Sequence, residues 1–552
     1  MANNYQLLIK HILKKPIAQA SRKEIVYRGE LRFTYPEFVE RVHRLAGALS
    51  ALGAKPGMRI AVADWDSHRY LESYFAIPML GCVLMMVNIR LSPAQIAYTI
   101  DHSDAEILLI NKDFFAACQG IREQLTKITK VVCLADDNAP DDGGYGDKYA
   151  GDYETLLAAA APDYDFPDLD ENTIATTFYT TGTTGAPKGV YFSHRQLVLH
   201  ALSLMSTIAM SGVNGRISRE DVYMPLTPMF HVHAWGFPFV ATLMGMQQVY
   251  TGRFQPALVL KLLEAERVTT SHCVPTILHM LLNAPEGASV DFSRWHVVIG
   301  GSAMPEALCR AALARGIDVY SGYGMSESCP IMTISQITGA MLDEDSSPER
   351  GAKFRCAAGQ AGALIDLALV DEDMNFLPHD GTSVGEVVAR GACLTAGYVK
   401  DEAASAALWR GGWMHTGDLG SIDEFGLLHV LDRSKDVIKT GGEWISSLAL
   451  EDIILRDTRV SECAVVAIHD YMWGERPVAI VVRKPDAALT EDEVKTLIRA
   501  RVELGELSRY AIPDHVFFAE ALEKTSVGKL DKKKLRVIYG AGGSCKEESS
   551  RF

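Results

Sequence analysis

Apolar residues recur at Phe38, Val42, Leu45, Leu49 and Leu52, a spacing of three to four that predicts the buried face of a helix. Thr34 and Glu37 stand ahead of it at capping-box spacing, and Gly53 ends it. Short apolar runs at 59–63, 107–110 and 131–134 have the length of buried strands. The longest apolar stretch, from Tyr74 to Val87, contains Pro78 and Gly81 and is too short to cross a bilayer. It reads as a buried helix leading into a buried strand. Helices that alternate with short apolar strands predict a layered α/β architecture.

The pattern changes further along. From Ala361 to Tyr398 short strands alternate with glycine turns, which predicts an antiparallel or barrel-like piece. A strand over 426–431 precedes a charged stretch, Asp432 to Lys439, that reads as a domain boundary. Strands at 464–468 and 478–482 and a helix at 491–504 then suffice for a small α+β domain of about 100 residues. The acidic, Gly-rich segment 136–149 and the charged segment 342–353 read as loops, and 541–552 as a disordered tail. No repeat of solenoid period is present.

At 552 residues the chain has room for about two to four domains. With 48% hydrophobic and 22% charged residues, it is neither wholly disordered nor collagen-like. A net charge of −15 argues against a general nucleic-acid binder, though an acidic protein can carry a local positive pocket for an anionic substrate. The ten cysteines form no C-x-x-C pair, which argues against a zinc ribbon or a disulfide scaffold and for reduced, buried thiols. The N-terminal residues do not read as a signal peptide. A cytoplasmic location is expected, with membrane contact at most peripheral.

Chemistry concentrates first in Tyr179-Thr-Thr-Gly-Thr-Thr-Gly-Ala-Pro-Lys-Gly-Val190. Glycines let a backbone approach an oxyanion closely, threonine hydroxyls donate to phosphate oxygens, and Lys188 adds a mobile cation. It is not a Walker A loop: Pro187 precedes the lysine and Gly189 follows it, where that motif has Gly and Ser or Thr. The string resembles the signature loop of the adenylate-forming superfamily, which includes acyl-CoA synthetases, peptide-synthetase adenylation domains and firefly luciferase.

The resemblance continues in order along nearly the whole chain. Pro228-Met-Phe-His-Val-His-Ala-Trp-Gly236 resembles the substrate-side motif, with His231 beside the acyl carboxylate and Trp235 as an aromatic plug at the pocket mouth. His233 stands where close fatty-acid relatives often have Asn. In Val298-Ile-Gly-Gly-Ser-Ala-Met-Pro305, Gly300 would line the acyl pocket and Gly301 and Ser302 the adenine pocket, with a helix starting near Pro305. Tyr323-Gly-Met-Ser-Glu327 resembles Y-G-x-T-E. There Tyr323, Gly324, Met325 and Ser326 would contact the nucleotide, and Glu327 would hold Mg²⁺, a hard cation suited to carboxylate.

Trp413-Met-His-Thr-Gly-Asp418 supplies Asp418 for the ribose hydroxyls, joined by Arg433. Lys435 sits at the family's hinge position, and Gly441, Gly442, Glu443 and Trp444 resemble the loop lining the thiol's tunnel. Lys439 would assist the second half-reaction. Lys529, in Lys524-Thr-Ser-Val-Gly-Lys529, resembles the C-terminal catalytic lysine.

The resemblance implies the fold and the chemistry together. The fold would be α/β: a large N-terminal domain, 1–432, of layered α/β subdomains plus a β-barrel-like piece, then a small mobile α+β domain, 433–540. Nucleotide contacts would come from Thr180, Thr181, Gly182, Thr183, Thr184, Gly185 and Lys188, with Thr180 also near the metal. The reaction would be AMP-forming ligation of a carboxylic acid to CoA, using ATP and Mg²⁺, most closely as in medium- and long-chain fatty acyl-CoA synthetases. Related sequences also serve short, methylthio- or aryl-substituted acids. Other readings are a luciferase-type acyl-AMP-dependent oxidoreductase, a transferase loading a carrier protein and an inactive nucleotide-binding scaffold. No attached carrier domain supports the third, and the joint presence of Lys188, Glu327, Asp418, Arg433 and Lys529 speaks against the fourth. The resemblance implies a homodimer and no nucleic-acid partner.

Overall fold

Two parallel-centred sheets form the large domain, and the runs that build them are apolar on both faces because helices cover both sides. The structure, a computed structural model, describes residues 5–20, 22–137, 141–180, 186–344, 347–440, 443–525 and 529–540, with the side chains of 343 and 344 excepted. The seven-stranded sheet runs Tyr149–Asp152, Lys130–Leu134, Ala105–Asn111, Arg59–Ala63, Val83–Met86, Ile174–Thr180, Lys188–Ser193, and only the last pairing is antiparallel. The nine-stranded sheet has a parallel centre that includes Val222–Pro225, Thr270–Cys273, His296–Ile299 and Asp318–Gly324. Antiparallel strands close it at both ends.

Several sequence expectations match these elements closely. The helix Tyr35–Ala51 begins with the Thr34–Glu37 capping box and buries Phe38, Val42, Leu45 and Leu49. The stretch beginning at Tyr74 is the end of the helix His68–Met79 and the strand Val83–Met86, every residue of them buried. Among the described residues no helix is long and apolar enough to cross a membrane. Of the antiparallel piece expected over 361–398, the strands Ile365–Val370 and Gly385–Gly391 fall within those bounds, and they belong to a four-stranded antiparallel meander that continues beyond Tyr398 through Met414–Ile422 and Leu428–Arg433. Nine of the ten cysteines are free thiols, eight of them buried; Cys545 lies outside the described residues.

The reading of 342–353 as a loop is corrected. Helices Gly339–Glu344 and Pro348–Cys356 occupy most of it. Ser347-Pro348, within that segment, starts the second helix: the Ser347 side chain accepts from Arg350 N, and Pro348 takes the first turn, where its missing N–H costs nothing. The segment 136–149 likewise contains a short 3₁₀ turn, Gly146–Lys148. The tail 541–552 lies outside the described residues.

The C-terminal domain is a five-stranded sheet built on the long hairpin Val460–Asp470 and Gly474–Arg483, flanked by the helices Ser447–Leu455, Glu491–Glu503 and Lys532–Gly540. It reaches the large domain through ionic contacts. Glu306 N donates to Asp452 at 3.1 Å, and Arg456 pairs with Glu306 at 3.0 Å. The strand Leu428–Arg433 leads directly into it, and Asp432 accepts from Ser447 N at 2.8 Å.

Candidate functional site

Five widely separated segments bring charged groups to one place at the C-terminal ends of the central strands. Asp318–Gly324 ends in Tyr323, whose hydroxyl donates to Asp418 at 2.7 Å. Asp418 lies on Met414–Ile422, directly across from Arg433 on the next strand, with Arg433 Nε 3.6 Å from its carboxylate. Glu327 sits in a short 3₁₀ turn after Tyr323 and accepts from the Tyr398 hydroxyl at 2.7 Å. The Lys188 ammonium lies 4.8 Å from the centre of the Tyr398 ring. Lys529, from the C-terminal domain, reaches across: a methyl group at Gly301 would sit 3.2 Å from its Cε.

The electrostatics of this cluster are unbalanced. Burial raises the carboxyl pKa of Glu327, opposed by the Tyr398 hydrogen bond and by Arg433 and Lys188. Burial raises Asp418 as well, opposed by Arg433 and by the Tyr323 hydroxyl. Lys529 is pushed down to about 8, first by burial and then by Arg433, while Asp418 and Glu327 pull it back up. Buried groups whose pKa values are shifted in both directions within one cluster are more common at functional sites than elsewhere in a protein. Burying incompletely paired charges is costly, and a ligand of complementary charge would offset that cost.

The segment after Pro228 contains the most strained backbone of the site. Val232, His233, Ala234 and Trp235 all have positive φ, from 45° to 59°, with Gly236 following at 75°. Left-handed conformation costs an L-residue roughly 1–2 kcal/mol, so four in succession need strong anchoring. Met229 N donates to Asp66 at 2.7 Å, and its carbonyl accepts from the Tyr74 hydroxyl. His233 Nε2 bonds Thr176 Oγ1 at 2.8 Å, and its ring is enclosed by Tyr74, Phe178, Phe192 and Phe239. The turn lays Trp235 against Gly300, where a methyl group would be 3.0 Å from the indole and 2.8 Å from the Gly322 carbonyl. Only glycine permits that approach.

His231 lies beside this turn. Burial, then Lys529 and Arg90, lower it to about 3, so it is a neutral imidazole at any working pH. His233 is the anchor of the strained turn. His233→Ala is therefore expected to lower the unfolding free energy by roughly 3 kcal/mol, read by chemical denaturation. An unchanged denaturation midpoint would remove it from that role.

Of the residues singled out in the sequence, Lys188, Gly300, Gly301, Tyr323, Glu327, Asp418, Arg433, Lys529, His231 and Trp235 come together. Thr180 closes the strand pair at Lys188, donating to its carbonyl at 3.5 Å. Gly324 follows Tyr323 in the same strand with φ +158°, where a methyl group would collide with the Pro330 carbonyl. Met325 and Ser326 are half-buried beside it, and Ser302 is exposed. Thr181, Gly182, Thr183, Thr184, Gly185, Gly441 and Gly442 lie outside the described residues.

Lys439, Glu443 and Trp444 are not in the cluster. They are exposed on the strand pair Ile438–Thr440 and Glu443–Ile445, with the Lys439 ammonium 5.4 Å over the Trp444 ring. Lys435 is exposed at the domain junction, within electrostatic reach of Arg433 and Asp418.

Three contributors escaped the sequence reading. Tyr398 holds Glu327, Asp66 anchors the strained turn, and Arg90 lies near both His231 and Asp66. Burial raises Asp66 to about 7, with the Met229 amide and Arg90 acting against it. Tyr398 is 71 positions from Glu327, Asp66 is 163 from Met229, and Arg90 is 141 from His231 and 24 from Asp66, so no local pattern signals them.

A family model described as AMP-binding enzyme matches residues 13–399, and a second, AMP-binding enzyme C-terminal domain, matches 449–529. A long-chain-fatty-acid–CoA ligase of Thermus thermophilus is 38% identical over 97% of this chain and 96% of that protein. A medium-chain-fatty-acid–CoA ligase of Ectopseudomonas oleovorans is 34% identical over the same shares of 97% and 96%. Among solved structures, the anthranilate CoA ligase AuaEII in complex with anthranoyl-AMP superposes with a TM-score of 0.84. That match is 22% identical and covers 97% of this chain and 98% of that one, a likeness of fold.

Proposed function

The chain belongs to the AMP-binding enzyme family and is an AMP-forming acyl-CoA ligase, and from that premise we propose that it activates a medium- or long-chain fatty acid. The acid's carboxylate attacks the α-phosphorus of ATP, giving acyl-AMP and releasing pyrophosphate. The CoA thiol then attacks the acyl carbonyl carbon and AMP leaves.

The first step brings two anions together, so electrostatic stabilisation carries most of the burden. The observation that supports this assignment best is the meeting of Lys529 with Asp418, Glu327 and Arg433 beside Gly301. In this reading Lys529 neutralises charge developing at the α-phosphate. Asp418, oriented by Tyr323, accepts from the ribose hydroxyls, and Arg433 joins it there. Gly301, Ser302, Gly324, Met325 and Ser326 border the nucleotide. The loop 180–185 and Lys188 receive the outer phosphates. Binding both reactants in one cleft also converts an encounter into a positioned reaction.

Magnesium suits the residues present. Glu327 is a buried carboxylate held by a single tyrosine, a hard oxygen donor whose charge lacks full compensation. Among the described residues no cluster of three or more ligating side chains exists, so Glu327, with Thr180, would hold an ion completed by phosphate oxygens and water. When bound, the ion would neutralise phosphate charge.

On the acyl side Trp235, Gly300 and neutral His231 receive the chain and its carboxylate. Lys439, Glu443 and Trp444, with Gly441 and Gly442, would serve the thiol after the C-terminal domain turns about Lys435. The relatives named above, ligases of long- and medium-chain fatty acids, favour an aliphatic chain.

A CoA-thioester assay over acids of increasing length, with aryl and methylthio members included, tests the substrate class. The highest kcat/KM is expected for a medium or long aliphatic acid. A peak at an aryl or short acid would overturn that part. Trp235→Ala is expected to move the length optimum while changing the ATP KM less than about threefold. A defect confined to ATP would take Trp235 out of the acyl pocket.

A further inference from the structure

An open cleft of about 260 Å³ lies on the seven-stranded sheet, lined by Arg59, Val83, Ile174, Thr177, Tyr191 and the segment 398–400. It is separate from the acyl side. Phe178, Val190 and Phe192 pack into the main core, and strand alternation turns Thr177 and Tyr191 to the opposite face. Arg59 is half-buried, and among the described residues no carboxylate pairs with its guanidinium. The other cation, Lys400, is committed: it pairs with Asp104 at 2.7 Å and donates to the His102 carbonyl at 2.9 Å, and Asp104 is shared with Lys127. Val83, Ile174 and Tyr191 line the same cleft beside the Arg59 guanidinium.

The cleft also adjoins the active centre through one residue. Tyr398 lines it, donates to Glu327 at 2.7 Å and carries Lys188 above its ring. Its neighbour Val399 N donates to the Gly189 carbonyl at 2.8 Å, tying the same segment to the strand that leaves the phosphate-type loop.

We propose that this cleft is a second binding site, for a compact organic anion whose oxyanion pairs with Arg59 and whose body lies on Val83, Ile174 and Tyr191. Occupancy is transmitted to adenylation through Tyr398 and Glu327. A guanidinium favours planar or tetrahedral oxyanions that it can grip with two N–H groups, so carboxylates and phosphate monoesters share the required chemistry. The second half of the proposal rests on the ligase reading; the binding half does not.

The test uses full-length protein with its active centre saturated by a non-hydrolysable acyl-adenylate analogue. Calorimetry follows three probes, phenyl phosphate, benzoate and inorganic phosphate. Either organic anion is expected to bind at one further site, the stronger of the two naming the oxyanion class. Arg59→Met is expected to weaken that binding roughly tenfold or more, with basal activity unchanged. Inorganic phosphate, lacking the apolar body, is expected to bind more weakly. In protein without the analogue, the preferred probe should change the rate of pyrophosphate exchange, and Arg59→Met should abolish that change. Tyr398→Phe should abolish it while leaving calorimetric binding intact. Binding that is absent, or equal in wild type and Arg59→Met, overturns the site. Binding that leaves exchange untouched in an enzyme that does exchange overturns the coupling. An enzyme that binds the probe but never exchanges pyrophosphate contradicts the ligase reading instead.

Discussion

Lys529→Ala is expected to slow acyl-adenylate formation by roughly 10²–10³-fold, the range seen when one preorganised electrostatic contact is lost. Thioester formation from supplied acyl-AMP should stay within a few-fold of wild type, because in this reading the C-terminal domain turns about Lys435 and carries Lys529 away from the α-phosphate before the thiol attacks. The division follows from where the lysine sits. It belongs to the C-terminal domain, yet it lies beside Gly301 and within reach of Asp418, Glu327 and Arg433. The same residue sets an alkaline limit. Burial and Arg433 lower its pKa to about 8, so its charge is full well below that pH and is lost as pH rises through it. The kcat/KM for adenylation should therefore fall above about pH 8. ATP binding adds negative charge and should move the limb in kcat higher. Lys529→Arg, which cannot deprotonate, should erase the limb. Equal loss of both half-reactions in Lys529→Ala, or a limb unmoved by arginine, would remove Lys529 from the chemistry.

Asp418→Ala should be nearly as damaging for a different reason. A carboxylate that accepts from two ribose hydroxyls makes two charge-assisted hydrogen bonds, each worth about 1.5–3 kcal/mol. Their loss should reduce kcat/KM for ATP by roughly 10²-fold or more, mostly as a raised KM. Stability should change little. Ionised Asp418 is disfavoured by burial, and its partner Arg433 has a side chain 49% exposed, so its charge returns to water when the aspartate is removed. Activity and stability are thus expected to separate. Thermal unfolding and steady-state kinetics on one preparation check both. A large drop in Tm with little change in KM would make Asp418 a structural residue.

How much of this was legible in the sequence depends on the range of the interaction. The helix Tyr35–Ala51 was readable because cap, stripe and stop signal all lie within one segment. The buried stretch from Tyr74 was readable because its apolar run is continuous. The segment 342–353 was misread because Ser347-Pro348 serves equally as turn and as helix start, and only packing chooses between them. The cluster of Tyr323, Glu327, Asp418, Arg433 and Lys529 was marked by its resemblance to known motifs, and no spacing could have joined positions 323 and 529. Nothing local marked Tyr398 or Asp66, ordinary residues whose importance lies in single long-range hydrogen bonds. The four consecutive positive φ angles from Val232 to Trp235 were equally hidden, since neither β-branched Val nor bulky Trp favours that conformation. Tertiary anchors at Thr176, Asp66 and Tyr74 impose it.

The decisive measurement is acid-dependent exchange of labelled pyrophosphate into ATP by the purified protein with magnesium, in the absence of CoA. Exchange should appear only when a suitable carboxylic acid is present, and Lys529→Ala should reduce it to the background. If a broad range of aliphatic and aromatic acids elicits none, while the protein is folded and binds ATP, the charges gathered around Asp418 and Lys529 do not activate a carboxylate.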